Sequence, residues 1–279
     1  MSIALDIVDA FTDRAFAGNP AAVCRLPVDQ VAQAAWMQQV AAEMNLSETA
    51  FVSPPDEQGV RPVRYFTPKI EVELCGHATL AAAHTLWHHG EVPATQPVRF
   101  RTVAHEILTC TLGPQGEVRM DLPASPPKPA AAPAGLDQAL GMPATDTHRA
   151  GFQWLGVWPE AQAVRDWTPN HAALAALDWG DRHGLVLTAP GGTLPDGRPA
   201  DFTSRFFAPG AGIAEDPVTG SAHAMLGPYW AQRLGKTKLL AHQASPRGGT
   251  LEIEVRGARV VVAGHAVTNV AGQWVGPLV

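Results

Sequence analysis

The chain repeats itself, and that repeat limits its possible folds more than any other feature of the 279 residues. Arg64-Tyr65-Phe66-Thr67-Pro68 is followed by a short loop, by Gly76-His77-Ala78 and by an alanine-rich stretch. Arg205-Phe206-Phe207-Ala208-Pro209 is followed by a loop, by Gly220-Ser221-Ala222 and by a second apolar stretch that passes Tyr229-Trp230. The two arginines stand 141 positions apart and the two glycines 144, so the second loop is three residues longer. Chance supplies one such likeness. It does not readily supply strand, proline, loop, glycine and helix in the same order at half-chain offset. A duplication follows, with two similar α/β halves expected to face one another.

Hydrophobic spacing fills in the elements. Ile3, Leu5 and Ile7 alternate with Ala4, Asp6 and Val8, the period of a strand with one buried face. Gly18-Asn19-Pro20 punctuates before the apolar run Ala21 to Cys24. From Asp29 to Met44 the spacing becomes helical, with Asp29 placed to cap the first turn and Asn45 to end the helix. Strands are expected at Glu48 to Val52, Val63 to Phe66, Val98 to Thr102, Glu106 to Leu112 and Glu117 to Leu122. Beyond the midpoint they are expected at Leu185 to Thr188, Phe202 to Phe207, Leu251 to Val255 and Arg259 to Val262, with helices at Asn170 to Leu177 and Gly220 to Leu234. Six prolines between Pro123 and Pro143 can extend neither a sheet nor a long helix. The expected division is a first half at 1–122, a Pro/Ala-rich linker at 123–143 and a second half at 144–265, with residues 266–279 able to return to the first.

Composition removes several function classes. A formal charge of −6 argues against a partner whose phosphates need neutralising, so no nucleic acid is expected. No apolar run approaches spanning length and the N-terminus lacks a basic-then-apolar leader, so no membrane is expected and the cytoplasm is the expected compartment. Cys24, Cys75 and Cys110 are too few and too scattered for a disulfide framework or a zinc motif. His84 and His88 stand four apart but lack the glutamate of a zinc-protease helix, so no metal is expected. The eight tryptophans are read as loop and core packing.

The paired glycines carry chemistry. Glycine at a helix start lets a ligand approach the first backbone N–H groups, which with the helix dipole bind anions such as carboxylates. Singly, Gly76 and Gly220 could each merely relieve a tight turn. As a matched pair they point to a cleft that grips a carboxylate.

Five ordered segments carry a resemblance. They are Gly18-Asn19-Pro20-Ala21-Ala22-Val23, Asn45-Leu46-Ser47-Glu48-Thr49-Ala50-Phe51-Val52, Leu74-Cys75-Gly76-His77-Ala78-Thr79-Leu80-Ala81, Glu215-Asp216-Pro217-Val218-Thr219-Gly220-Ser221-Ala222-His223 and Ser245-Pro246-Arg247-Gly248-Gly249. Together they resemble the phenazine-biosynthesis (PhzF-like) isomerases over nearly the whole chain. The resemblance implies an α+β, diaminopimelate-epimerase-like fold: two similar domains, each a curved, mostly antiparallel sheet wrapped around a central helix. It also implies no cofactor, a small and sometimes cyclic carboxylate substrate, a homodimer, and a glutamate at the position of Glu48 that shuttles a proton between two carbons. His77, Asp216 and Ser221 complete the site by the same resemblance.

Each residue has a plainer reading beside this one. Glu48 alone would be a solvated strand start; in a partly apolar cleft its pKa would rise toward roughly 6–7, suited to acid/base work at neutral pH. His77 could be a packing residue, and Asp216 and Ser221 could be helix caps. Related epimerases use one cysteine from each half. Here Cys75 has no cysteine opposite, only Val218, Thr219 or Ala222, so a two-thiol mechanism is excluded. Cys75 is either a buried inheritance or half of a mixed Cys/Glu pair. Three readings therefore stand: a proton-shifting isomerase, an epimerase using Glu48 with Cys75, and a small-carboxylate-binding protein without turnover. Catalytic candidates are Glu48, His77 and Asp216; binding candidates are Gly76, Gly220, Ser221 and Cys75, with Arg247 as a further carboxylate partner.

Overall fold

The computed structural model describes residues 2–28, 33–180 and 184–276. Asp29 and Val31, expected in the first turn of a helix, lie outside the described residues. The chain divides into two compact units, Met1–Leu122 with Ala263–Val279, and Pro123–Val262.

In the first unit the elements run β1 (Ile3–Ala10), β2 (Asn19–Arg25), α1 (Ala34–Met44), β3 (Glu48–Val52), β4 (Val60–Phe66), β5 (Glu71–Val72), α2 (Gly76–His88), β6 (Val98–Arg101), β7 (Ile107–Leu112) and β8 (Val118–Pro123). The chain's last strand, Ala266–Trp274, returns to pair antiparallel with β1. β1 pairs antiparallel with β2, β2 parallel with β3, and β3 antiparallel with β4. β4 pairs antiparallel with β5 and, across the α2 crossover, parallel with β6, which continues antiparallel into β7 and β8. Asn45 closes α1 in the left-handed region, which asparagine tolerates. Trp36, Met37, Val40 and Ala41 of α1 pack on Ile3, Leu5, Cys24, Phe51 and Phe66, with Trp36 edge-on to Phe51 at 5.8 Å. α2 is buried on nearly every side, and its alanines at 78, 81, 82 and 83 let the sheet close around it.

The second unit repeats this plan. Its elements are β9 (Lys128–Pro129), α3 (Leu136–Leu140), β10 (Asp146–Ala150), β11 (Gln153–Val157), α4 (Ala161–Asp166), α5 (His171–Ala176), β12 (Gly184–Pro190), β13 (Phe202–Ala208), β14 (Ile213–Asp216), α6 (Gly220–Leu234), β15 (Lys238–Gln243), β16 (Gly249–Arg256) and β17 (Arg259–Gly264). β10 and β11 are antiparallel, β11 and β12 parallel, β12 and β13 antiparallel. β13 pairs antiparallel with β14 and, across the α6 crossover, parallel with β15, which is antiparallel to β16. The order of parallel and antiparallel ladders thus matches the first unit strand for strand. The longer second loop carries a 3-10 turn at Pro209–Ala211.

One matched device recurs at the base of each crossover. Arg64 grips Glu71 through Nε and Nη2, both at 2.7 Å, and stacks over Phe66. Arg205 grips Glu215 in the same fork at 2.7 and 2.8 Å and stacks over Phe207. The forked geometry fixes both strand ends to the loops that lead into the helices.

The stretch 123–143, expected as a linker, is docked rather than loose. Pro228 inside α6 has no N–H to offer the carbonyl of Ala224 four residues back. Ser125 supplies that hydrogen bond instead, from backbone N to Ala224 O at 3.1 Å. Leu136, Ala139 and Leu140 then enter a core with Trp158, Val164, Leu174, Trp179, Leu185, Leu187 and Phe207. Prolines forbid a long ladder here, yet they leave the apolar side chains able to pack. Two tryptophans of this unit donate their indole N–H groups to carbonyls, Trp167 to Leu140 and Trp179 to Leu174.

Candidate active site

In the first unit, the ends of two strands and the start of α2 meet. Gly18 precedes β2 with φ +67°, and a Cβ there would sit 2.2 Å from the carbonyl oxygen of Ala10. This forced turn sets Asn19 as the first, fully buried residue of β2. β3 lies parallel beside it and begins with Glu48, which is only 8% exposed. His77, in the first turn of α2, is 3% exposed. Its Nε2 lies 3.1 Å from Glu48 Oε2, and its Nδ1 lies 3.0 Å from the Asn19 side-chain amide. Cys75 Sγ is 3.4 Å from the same Nδ1.

The network assigns the protons. Burial pushes His77 down to about 3, so the imidazole is neutral near pH 7. With Asn19 Nδ2 donating to Nδ1, Nε2 carries the hydrogen and lies 3.1 Å from Glu48 Oε2, close to it but outside hydrogen-bond geometry. The imidazole beside the carboxyl group is therefore uncharged. Behind the helix start, Tyr65 OH donates to Thr79, and Thr79 OH donates to the carbonyl of Cys75, each at 2.6 Å.

The second unit builds its own helix start from different side chains. Asp216 ends β14, is 7% exposed and accepts the Thr219 hydroxyl. Gln243, at the end of β15, donates to the carbonyl of Asp216 at 2.8 Å and accepts the Thr219 N–H at 2.8 Å. Ser221 Oγ receives a bond from Gln153 Nε2 at 3.4 Å. Ser245 Oγ reaches the carbonyl of Pro217 at 2.8 Å, which ties the turn before Arg247 to the same loop. Threonine is a good helix cap, but Asp216 draws the Thr219 hydroxyl away. Neither Cys75 nor Thr219, the N-cap residues of α2 and α6, makes a side-chain cap hydrogen bond.

Two histidines of this unit give it an acid limit. Burial pushes His223 and His242 down to about 4, and Arg165 adds repulsion at His242. The folded values lie below the unfolded value of about 6.5, so the unfolded chain takes up protons first as pH falls. Stability is whole above about pH 6.5 and is expected to drop between about 6.5 and 4, with up to one proton per histidine in the slope. Urea unfolding of wild type and His223→Gln across that range tests this. An identical slope in the variant would clear His223 of the effect.

The chain matches the phenazine biosynthesis-like protein family (PhzC-PhzF) over residues 8–272. It belongs to that family. A relative named as an uncharacterized isomerase of Halalkalibacterium halodurans is 44% identical over 270 residues, covering 96% of this chain and 97% of that one. A PhzF-family phenazine biosynthesis protein of Enterococcus faecalis superposes with a TM-score of 0.88 at 39% identity, over 98% of this chain and 99% of that one. A hydroxyproline epimerase of Agrobacterium vitis shares the fold alone, with a TM-score of 0.61 at 11% identity over 98% and 92% of the two chains. The phenazine biosynthesis-like chain is thus an enzyme of isomerase type with a diaminopimelate-epimerase-like α+β fold. No helix among its described residues is long and apolar enough to cross a membrane.

Of the residues singled out in the sequence, Glu48, Cys75, Gly76 and His77 gather at the α2 start, while Asp216, Gly220 and Ser221 gather at the α6 start. The N-cap position of α6 is held by Thr219 and not by Asp216 or Ser221. His84 and His88 stack at 5.5 Å, and His84 bonds Thr268. Sequence reasoning missed three residues, Asn19, Gln153 and Gln243. Asn19 stood in plain view within Gly18-Asn19-Pro20, where it read as turn punctuation. The two glutamines had no local signal.

The ladders also show what the second half lacks. β3 pairs Thr49 with Phe66, and β12 pairs Leu185 with Phe207, so Gly184 holds the place of Glu48. A Cβ at Gly184 would lie 2.6 Å from Phe206 Cζ. No carboxylate can stand there without repacking. Thr219 and Ser221 likewise hold the helix positions of Cys75 and His77.

Proposed function

We propose that this chain is a cofactor-independent isomerase that moves a proton on a small carboxylate substrate, with Glu48 as the acid/base. The observation that carries the reading is the buried Glu48 carboxyl lying 3.1 Å from the neutral imidazole of His77. Moving a proton between carbons transfers no net electrons, so one group that accepts and returns a proton is sufficient chemistry. A small rotation of the His77 ring would let its Nε2–H donate to Glu48, a bond that strengthens as negative charge appears on the carboxylate. The substrate carboxylate is proposed to bind first-turn backbone N–H groups at a glycine-led helix start, and Asp216 and Ser221 are proposed as further site residues.

A panel of small cyclic and acyclic carboxylates incubated in deuterated water tests this, following carbon-bound deuterium by NMR. Label entering with wild type and not with Glu48→Gln is the expected result. Equal labelling with both would remove Glu48 from the chemistry.

The mixed-base epimerase remains a second reading because Cys75 Sγ lies 3.4 Å from the His77 ring. Cys75→Ala separates the two. Turnover within about tenfold of wild type is expected for the Glu48 isomerase, whereas loss of about 10² or more is the signature of a second base.

A further inference from the structure

Glu48, Cys75 and His77 offer a carboxylate oxygen, a sulfur and an imidazole nitrogen within 4.8 Å of one another, all three residues buried. Tetrahedral zinc with bonds of about 2.0–2.3 Å to such ligands requires ligand-to-ligand edges of about 3.4–3.6 Å. His77 Nε2 stands 3.1 Å from Glu48 Oε2 and 3.9 Å from Cys75 Sγ. Both edges lie within about 0.5 Å of that requirement, and because Sγ sits nearer Nδ1, at 3.4 Å, the Cys75 and His77 side chains must rotate for sulfur and Nε2 to face one ion.

We propose that these three residues form a binding site for a thiophilic divalent cation, with zinc as the probe, and that the bound ion occupies the Glu48 carboxylate. Magnesium and calcium prefer all-oxygen shells, so the sulfur and nitrogen donors select against them. Coordination replaces the Cys75 S–H bond by a metal–sulfur bond and releases that proton to solvent. The imidazole proton moves from Nε2 to Nδ1 as Nε2 binds the ion. A half-turn of the Asn19 amide then presents its oxygen to Nδ1, giving the ligand histidine an oriented partner. Three protein ligands leave a fourth position for water or an anion. The sequence concealed this set because Glu48 stands 27 positions before Cys75, outside any metal-motif spacing.

The site rests on distances inside the first unit and not on the proton-shuttle reading. Metal-free enzyme in the deuterium assay reports on that reading separately. Titration of the full chain with Co²⁺ under reducing conditions is the test. One equivalent per chain is expected, with a near-ultraviolet thiolate-to-cobalt charge-transfer band that zinc bleaches. Cys75→Ser should lose the band, and Glu48→Gln should weaken binding about tenfold or more. In wild-type protein zinc should also slow alkylation of Cys75, a readout that needs no variant. Cys24 and Cys110 serve as internal references, because burial holds both thiols up at about 12. A band that survives Cys75→Ser, absence of any band together with unprotected Cys75, or binding lost only in His88→Ala would each overturn the proposal. The last result would put the ion on the stacked histidine pair of α2.

Discussion

Glu48→Gln is expected to lower turnover by about 10²–10⁴, the range that a positioned acid/base contributes. The exchange removes almost no volume, so packing around β3 stays intact. What disappears is a group able to take a proton and give it back. Stability should hold or rise, since a buried carboxyl costs desolvation that a neutral amide does not. Paired measurements settle the matter: rate by solvent deuterium entry and folding by thermal midpoint. A variant that keeps its rate would end the acid/base role of Glu48. A lower rate with a collapsed midpoint would instead expose Glu48 as a structural residue.

Arg205→Ala is expected to cost about 3–5 kcal/mol, because it strands the nearly buried Glu215 carboxylate. The same substitution at Arg64 should cost about 1 kcal/mol or less, since both partners there are 30% exposed and water can replace the lost charge. Arg205 also donates to the carbonyls of Val164 and Trp167 and stacks on Trp167 and Phe207, contacts that vanish with it. The duplication makes this an internal control: one fork, two degrees of burial. Denaturant unfolding of both variants in one buffer reads the difference. Equal losses would mean that burial does not set the value of the pair.

These two positions also mark how far the sequence could be read. The Arg64/Arg205 and Gly76/Gly220 correspondences were visible as letters, and the ladders repeat them strand for strand. Long periodic segments such as Gly220 to Leu234 and Glu48 to Val52 were legible to the residue, since their signal is local spacing. The short strands Asp146–Ala150 and Lys238–Gln243 were not. Their residues, DTHRA and KLLAHQ, gain a strand identity only from the neighbours they pair with. The stretch 123–143 misled in the other direction. Its prolines suggested a tether, and nothing local disclosed that Pro228, about a hundred positions later, exposes a carbonyl for Ser125.

Sequence by itself determined the duplication, the two glycine-led helix starts and Glu48 as a residue worth testing, because repeats and motifs are properties of order along the chain. Tertiary structure alone decided that Asn19 orients the His77 ring, that His77 is neutral and stands 3.1 Å from Glu48, and that Gly184 leaves the second half without a matching carboxylate. Those facts depend on distance and burial between residues far apart in order. A hydrogen bond of 3.0 Å between positions 19 and 77 exists only once the strands have paired and the helix has packed against them.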